Sequence, residues 1–346
     1  MSDVLTRIEG HAGRITLNRP KALNALTYDM CMSIEAAIDD WRDNHAVKLI
    51  IIDAEGEKAF CAGGDIADIY AAGKREEFDY PRKFWRDEYR MNAKLAEYPK
   101  PVVSFMQGFV MGGGVGVGGH VSHRIVGDTT KIAMPECGIG LIPDVGGTRL
   151  LALAPRHLGE FLGLTGDRMG AGDAIYAGFA DTYIAEKDWD GLKAMLIETG
   201  DIEAIAHTAQ PVPESTLREW KDAIDAVFGG DSMADIAERL SHASTDAALK
   251  AQAAFAKNSP LAMTSTLWLV RECRKNPDIR NALQLEYRFT SRSLELADLI
   301  EGVRAAIIDK DRNPQWADTI DTLDAVKVDM MTSPLGALDL FTGDMT

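Results

Sequence analysis

Long apolar runs are missing from this chain. Nothing in its 346 residues approaches 18 consecutive apolar positions, so no transmembrane helix is expected. The first ten residues, MSDVLTRIEG, hold neither an apolar signal core nor an Arg/Ser-rich presequence, so no targeting segment is expected. Cysteine is scarce: Cys31, Cys61, Cys137 and Cys273 stand far apart and form no CxxC pair. That disfavours a disulfide framework or a structural zinc site and suits a reducing compartment, with the cytoplasm as the expected location. Positive charge is short too, 37 Lys and Arg against 53 Asp and Glu for a net charge of -16. Nucleic acid and anionic membrane surfaces are therefore excluded as partners, though a small anion held by a few local cations is not. No G-x-S-x-G elbow, P-loop or HExxH motif occurs. His120 and His123 lie at i, i+3 without an accompanying carboxylate, so no metal site is expected.

What is present is an ordinary globular composition, 46% hydrophobic and 26% charged, in a chain long enough to bury a large core. Val4–Glu9 and Arg14–Leu17 flank GHAG and predict a hairpin. Met30, Ile34, Ile38 and Trp41 mark one face of a helix that Asn24 and Thr27 are placed to cap. Val47–Asp53 and Pro101–Met106 are continuous apolar runs, the pattern of strands buried on both faces. HRIVGD, TKIAM and ADTYIA are further short strands, and FCAGGDI (Phe60–Ile66) reads as a loop. After about residue 200 the β signals fade into long helical patterns, with QPVPES (Gln210–Ser215) as the linker candidate. The expectation is an α/β part over residues 1–200 and a helical part over 201–346.

The segment from Phe109 to Arg149 is dense in glycine and carries two carboxylates, Glu136 and Asp144, each beside a proline. Gly114, Gly116 and Gly119 spell G-x-G-x-x-G. A dinucleotide fingerprint, however, needs a full helix after it and the first βαβ unit around it, and neither is here. Close packing of a glycine-rich helix accounts for Gly116, Gly118 and Gly119, but less well for the triple Gly112–Gly114. That triple follows a strand and opens a helix, where backbone N–H groups are unpaired. Ala62-Gly63-Gly64-Asp65 is a second loop of the same character. Two loops each offering a bare N–H are what an oxyanion hole for an acyl group requires.

FCAGGDI, FVMGGGVG, AMPECGIGLIPDVGGTRLL and LTGDRMGAGDAIYAGFAD resemble the crotonase, or enoyl-CoA hydratase/isomerase, superfamily. EYRMNAKLAEYPKPVVSFMQG, SPLAMTSTLWL, LEYRFTSR and DLIEGVRAAIIDKDRNPQW extend the resemblance over most of the chain, toward the branch that hydrolyses 3-hydroxyisobutyryl-CoA. The resemblance implies an α/β fold, a crotonase-like spiral of stacked ββα units with C-terminal helices covering the site. It implies an acyl-CoA substrate whose carbonyl oxygen is held by the N–H groups of Gly64 and Gly113, with no cofactor beyond CoA itself. Hydratases of this pattern carry a glutamate two residues after the triple glycine, where this chain has Gly116, and a glycine where it has Asp144.

One acid removed and another supplied is the hydroxyacyl-CoA hydrolase pattern, with Glu136 and Asp144 as the catalytic pair. Glu136 then attacks the thioester or activates a water, and Asp144 orients the 3-hydroxyl or the water. Glu88 matches a position that contacts substrate, Lys21 and Ala22 lie in the segment that lines the CoA cleft, and Ala62, Asp65 and Gly116 complete the substrate wall. The implied role is thioester hydrolysis in valine breakdown. The alternatives are an enoyl-CoA hydratase or isomerase and a non-catalytic acyl-CoA-binding subunit. Oligomeric state stays open, since superfamily relatives are often trimer-based and this branch varies.

Overall fold

A computed structural model describes residues 2–341 of the chain. Among the described residues there are nine strands: β1 (Val4–Glu9), β2 (Ala12–Leu17), β3 (Leu49–Ala54), β4 (Ala59–Cys61), β5 (Val102–Met106), β6 (Phe109–Met111), β7 (His123–Val126), β8 (Lys131–Ala133) and β9 (Thr182–Tyr183). They form a six-stranded sheet of order β1-β2-β3-β5-β7-β9 and a three-stranded sheet of order β4-β6-β8. Only β1 and β2 run antiparallel. The pairs β3/β4, β5/β6 and β7/β8 each place one strand in the large sheet and the next in the small one. That alternation is the repeating turn of a spiral, and the fold is the expected α/β one.

The run Leu49–Asp53, with the β-branched Ile50, Ile51 and Ile52 at its centre, is buried at every position, as a central parallel strand must be. On one face of the large sheet Leu49, Ile51, Val103, Phe105 and Ile125 pack with Trp189, Leu192 and Leu196 of the helix Trp189–Thr199. Trp41 of the helix Tyr28–Arg42 lies against β2 so closely that a Cβ on Gly13 would meet its ring at 2.4 Å. The β1–β2 hairpin turns at Gly10, whose φ of +53° suits glycine.

Two details differ from the sequence reading. The triplet β4 is a strand, where FCAGGDI reads as a loop, because three residues running into two glycines show no two-residue period. Thr27 caps the Tyr28–Arg42 helix, accepting from the Met30 N–H, but Asn24 does not. The Asn24 side chain instead donates to the Glu55 and Ala59 carbonyls and accepts from the Arg19 N–H, tying its own loop to the β3–β4 connection.

The chain divides into two compact units, each assembled from three segments. One comprises Met1–Gly64, Asp87–Ala133 and Arg168–Thr216 and holds both sheets. The other comprises Asp65–Arg86, Met134–Asp167 and Leu217–Thr346 and is built of helices. In the second unit the helix Pro260–Lys275, capped by Ser259 with Pro260 in its first turn, buries Leu261, Met263, Leu267, Leu269 and Val270. The helices Gly147–Leu153 and Leu158–Thr165 pack together at Gly159, where an added Cβ would lie 1.9 Å from the Leu151 carbonyl oxygen. Glu160, fully buried, is held by a two-pronged ion pair from Arg274 at 2.6 and 2.8 Å. Among the described residues no helix is long and apolar enough to cross a membrane.

Candidate functional site

In the sheet-bearing unit the two glycine loops come together. Leu26 forms a parallel bridge with Gly64 through its N–H to the Gly63 carbonyl, and Ala62 donates to the Leu23 carbonyl at 3.0 Å. The Lys21–Leu26 segment is thereby laid along the Ala62–Gly64 loop. Gly63 takes φ +115° and Gly112 φ +46°, backbone that an L side chain rarely adopts. Gly114 packs against Cys61 so tightly that a Cβ would fall 2.3 Å from its carbonyl oxygen. This contact brings Gly113 to Gly64: a Cβ on Gly113 would lie 3.5 Å from the Gly64 nitrogen.

Gly113 opens the helix Gly113–Gly118, where first-turn N–H groups have no intrahelical acceptor. The Gly64 N–H is likewise absent from the main-chain hydrogen bonding of the loop. Two backbone donors thus stand side by side, with open space beyond Gly64. Glu88, buried on the helix Asp79–Ala96, brings a carboxylate oxygen to 3.1 Å from the Gly113 Cβ position. Gly116 is buried within the same glycine helix.

Lys21 and Ala22 form the exposed short turn Pro20–Ala22. Lys21 borders an open cleft of about 550 Å³ together with Glu55, Glu57 and Lys58. Asp65 belongs to the helical unit, where it precedes the helix Ile66–Lys74 without a side-chain capping bond.

The helical unit carries the carboxylates. Glu136 begins a 3-10 turn, Glu136–Ile139, that Gly140 ends at φ +74°. The turn is braced by Ser259, whose N–H donates to the Cys137 carbonyl at 3.0 Å. The Glu136 side chain is buried and its Oε2 has no hydrogen-bond partner. Burial, then the nearby charge of Asp144, holds its carboxyl well above the usual glutamate range. Asp144, also buried, begins a turn closed by the Gly147 N–H on its own carbonyl at 2.7 Å.

A third carboxylate, one that the sequence reading does not single out, faces this pair. Glu286 is fully buried on the helix Ile279–Thr290 and accepts from the Gly146 N–H at 2.7 Å, the Thr148 N–H at 2.9 Å and the Thr148 hydroxyl. Burial and the Asp144 charge lift it to about 8 against the opposing pull of those bonds. The available signal was its position: Glu286 follows Ala282 and Leu283 by four and three residues, on the stripe of a helix that otherwise buries apolar groups.

The four cysteines are free and buried. Burial pushes the Cys61 and Cys137 thiols up to about 12, far from the depressed range of nucleophilic thiols. Among the described residues no cluster of His, Cys, Asp and Glu is arranged to hold a metal ion.

Paired backbone donors on glycine loops, a spiral of ββα turns and buried carboxylates define an acyl-CoA-handling class of α/β protein. The chain belongs to the enoyl-CoA hydratase/isomerase family, whose model matches residues 12–335. It is 37% identical over 351 residues to the mitochondrial 3-hydroxyisobutyryl-CoA hydrolase of Gallus gallus, covering 98% of this chain and 91% of that protein. Identity to the mitochondrial 3-hydroxyisobutyryl-CoA hydrolase of Homo sapiens is 36% over 325 residues, 91% of this chain and 84% of that protein.

Among solved structures, an enoyl-CoA hydratase from Rhodobacter sphaeroides is 51% identical with a TM-score of 0.95, over 98% of this chain and 99% of that one. A carnitinyl-CoA dehydratase from Mycobacterium thermoresistibile is 42% identical with a TM-score of 0.93, over 98% of both chains. The vertebrate relatives are named as mitochondrial, so their names lend nothing to the cytoplasmic expectation.

Proposed function

We propose that this chain is a thioester hydrolase that cleaves 3-hydroxyisobutyryl-CoA, or a closely similar 3-hydroxyacyl-CoA, to the free hydroxy acid and CoA. The observation that carries the reading is the carboxylate pattern: Glu136 and Asp144 are both present and buried, while Gly116 stands where a hydratase of this family carries the other of its two glutamates. The names of the relatives as 3-hydroxyisobutyryl-CoA hydrolases support the same conclusion, which would place the reaction in valine breakdown.

The Gly64 and Gly113 N–H groups donate to the thioester oxygen and stabilise the negative charge that develops on it. Losing one such donor typically raises the barrier by roughly 3–4 kcal/mol. Glu136, as the carboxylate, attacks the carbonyl or takes a proton from the attacking water. A raised pKa makes it the stronger base once it is ionised. Asp144 orients the 3-hydroxyl or that water. In the covalent route the C–S bond breaks to release the CoA thiolate and leave an acyl–Glu136 anhydride, which water then hydrolyses to the hydroxy acid and the free Glu136 carboxylate. In the general-base route the C–S bond breaks after water adds, the thiolate takes up the proton that Glu136 held, and the water oxygen is retained in the product acid. Glu88 borders the acyl group beside Gly113. Lys21 and Lys58, on one cleft, supply the local cations that CoA phosphates need on an otherwise acidic protein. No resident cofactor is required by this scheme. Four buried free thiols suit a reducing compartment.

The second reading, hydration or dehydration of an enoyl-CoA, is favoured by the names of the two solved relatives above. Release of free thiol from 3-hydroxyisobutyryl-CoA supports hydrolysis. Loss of enoyl absorbance from crotonyl-CoA without thiol release would sink it, and CoA binding with neither signal would point to a non-catalytic subunit.

A further inference from the structure

The turn that carries Asp144 is an improbable one. Val145 sits at φ +53° and Gly146 at φ +84°, and the Gly147 N–H closes the turn on the Asp144 carbonyl. Two left-handed central residues make a type I′ arrangement, which glycine, asparagine and aspartate dominate. Gly146 fits it, but Val145 does not: a β-branched residue at positive φ is a strained outlier. Such a conformation persists only where the surroundings over-determine it.

On one side Gly147 is packed against Met134, whose Cε lies 2.5 Å from the Gly147 Cβ position. On the other stands Glu286. Its Oε2 takes the Gly146 N–H and its Oε1 takes the N–H and hydroxyl of Thr148, so the carboxylate straddles Gly147. The base of this clamp is firm, since the Ile279–Thr290 helix is capped by Asp278 and buries Ile279, Ala282, Leu283 and Phe289.

We infer that Glu286 is a positioning residue for the hydrolysis: its two oxygens hold the strained Asp144–Gly147 turn and so fix where the Asp144 carboxyl stands. The inference rests on the reading that Asp144 serves that reaction. Burying a third acid near Asp144 and Glu136 is electrostatically unfavourable, as the lifted Glu286 carboxyl reflects, and a helix start can be capped without it. Only a carboxyl group reaching in from a neighbouring helix, with an acceptor lone pair on each of its two oxygens, serves both N–H groups. A glutamine offers one acceptor and turns its NH2 toward the other N–H.

The test is Glu286→Gln and Val145→Gly, singly and together, in the full chain. Steady-state thiol release from 3-hydroxyisobutyryl-CoA is measured beside thermal unfolding. Glu286→Gln is expected to lower kcat on the order of 10²-fold, as a displaced catalytic group does, while KM moves less than about threefold. Glycine holds the left-handed turn without help, so in the Val145→Gly background the same substitution is expected to reduce kcat about tenfold less. A purely stabilising role would shift the unfolding temperature but not this coupling.

A folded Glu286→Gln protein with kcat within about threefold of the parent overturns the inference. An equal loss in both backgrounds overturns it as well. If Glu286→Gln does not fold, Glu286→Asp, with both acceptors on a shorter arm, carries the test. A tenfold loss of kcat at constant KM is then expected on the order of the misplacement effect, and an unchanged kcat refutes the clamp. A parent protein that releases no thiol defeats the hydrolase reading itself and takes the inference with it, an outcome distinct from an active parent with an indifferent Glu286.

Discussion

Gly113→Ala separates the oxyanion reading from a purely structural account of the glycine loops. The added methyl would stand 3.0 Å from Leu26 Cδ1, 3.1 Å from a Glu88 carboxylate oxygen and 3.5 Å from the Gly64 nitrogen. The two close contacts are with side-chain ends, which can give by a few tenths of an ångström, so the fold survives with an overpacking penalty of about 1 kcal/mol. The bound oxygen fares worse. It must sit about 2.9 Å from each donor nitrogen, in the space that the methyl crowds from beside one donor and close to the other. Turnover should fall on the order of 10²-fold, near the roughly 3 kcal/mol that one such donor is worth.

Gly114→Ala is the contrast, because its methyl meets the Cys61 carbonyl oxygen at 2.3 Å, backbone that has no room to move. That variant should lose several degrees of melting temperature or fail to fold. The assay is thiol release per folded molecule, with unfolding followed by circular dichroism. If Gly113→Ala turns over within about threefold of the parent at unchanged stability, the paired-donor argument is wrong.

Further outcomes follow from the buried carboxylates. Glu136→Gln should abolish thiol release while CoA affinity, measured by calorimetry, is largely kept; near-normal turnover would remove Glu136 from the mechanism. Because the raised carboxyl of Glu136 acts only when ionised, the parent's kcat/KM should climb with pH through a midpoint above the ordinary glutamate value. A profile already flat at that value contradicts the burial argument. Glu286, lifted to about 8, holds its proton more tightly folded than unfolded, so its contribution to stability is lost as pH rises toward that value. Glu286→Gln should flatten that decline in a denaturant series, and a decline equal to the parent's would refute the assignment.

Arg274→Met should destabilise the fold by about 3 kcal/mol by leaving the buried Glu160 without its two-pronged partner. Burial alone would raise Glu160, but the Arg274 bonds outweigh it and hold the carboxyl low. The gap between parent and variant should therefore shrink as pH falls through the carboxylate range, and a gap that is constant in acid denaturation would count against it.

The central strands of the large sheet were legible because Leu49–Ile52 is a continuous apolar run and Val102–Met106 is apolar but for Ser104, close to the pattern of buried parallel strands. The three-residue strand β4 was not, since FCAGGDI runs into two glycines and shows no period, and its identity as a strand comes from its pairing with β6. Glu136 and Asp144 stood out through the flanking prolines and the family pattern. Gly64 and Gly113 stood out because glycine without a turn demands a backbone reason. Glu286 was hidden for a different cause: its role is set by a loop far away in sequence, and its only local mark is a charge on an apolar stripe. Asn24 shows the converse error. A residue suited to capping was drawn instead to two carbonyls of the β3–β4 connection, a tertiary demand that local sequence does not display.

The most direct test of the account is thiol release by the purified protein given 3-hydroxyisobutyryl-CoA, run beside crotonyl-CoA and beside Glu136→Gln. The account predicts stoichiometric CoA thiol and free hydroxy acid from the parent, no thiol from the variant, and no comparable loss of enoyl absorbance from crotonyl-CoA. Rapid hydration of crotonyl-CoA with no thiol from either ester would contradict it.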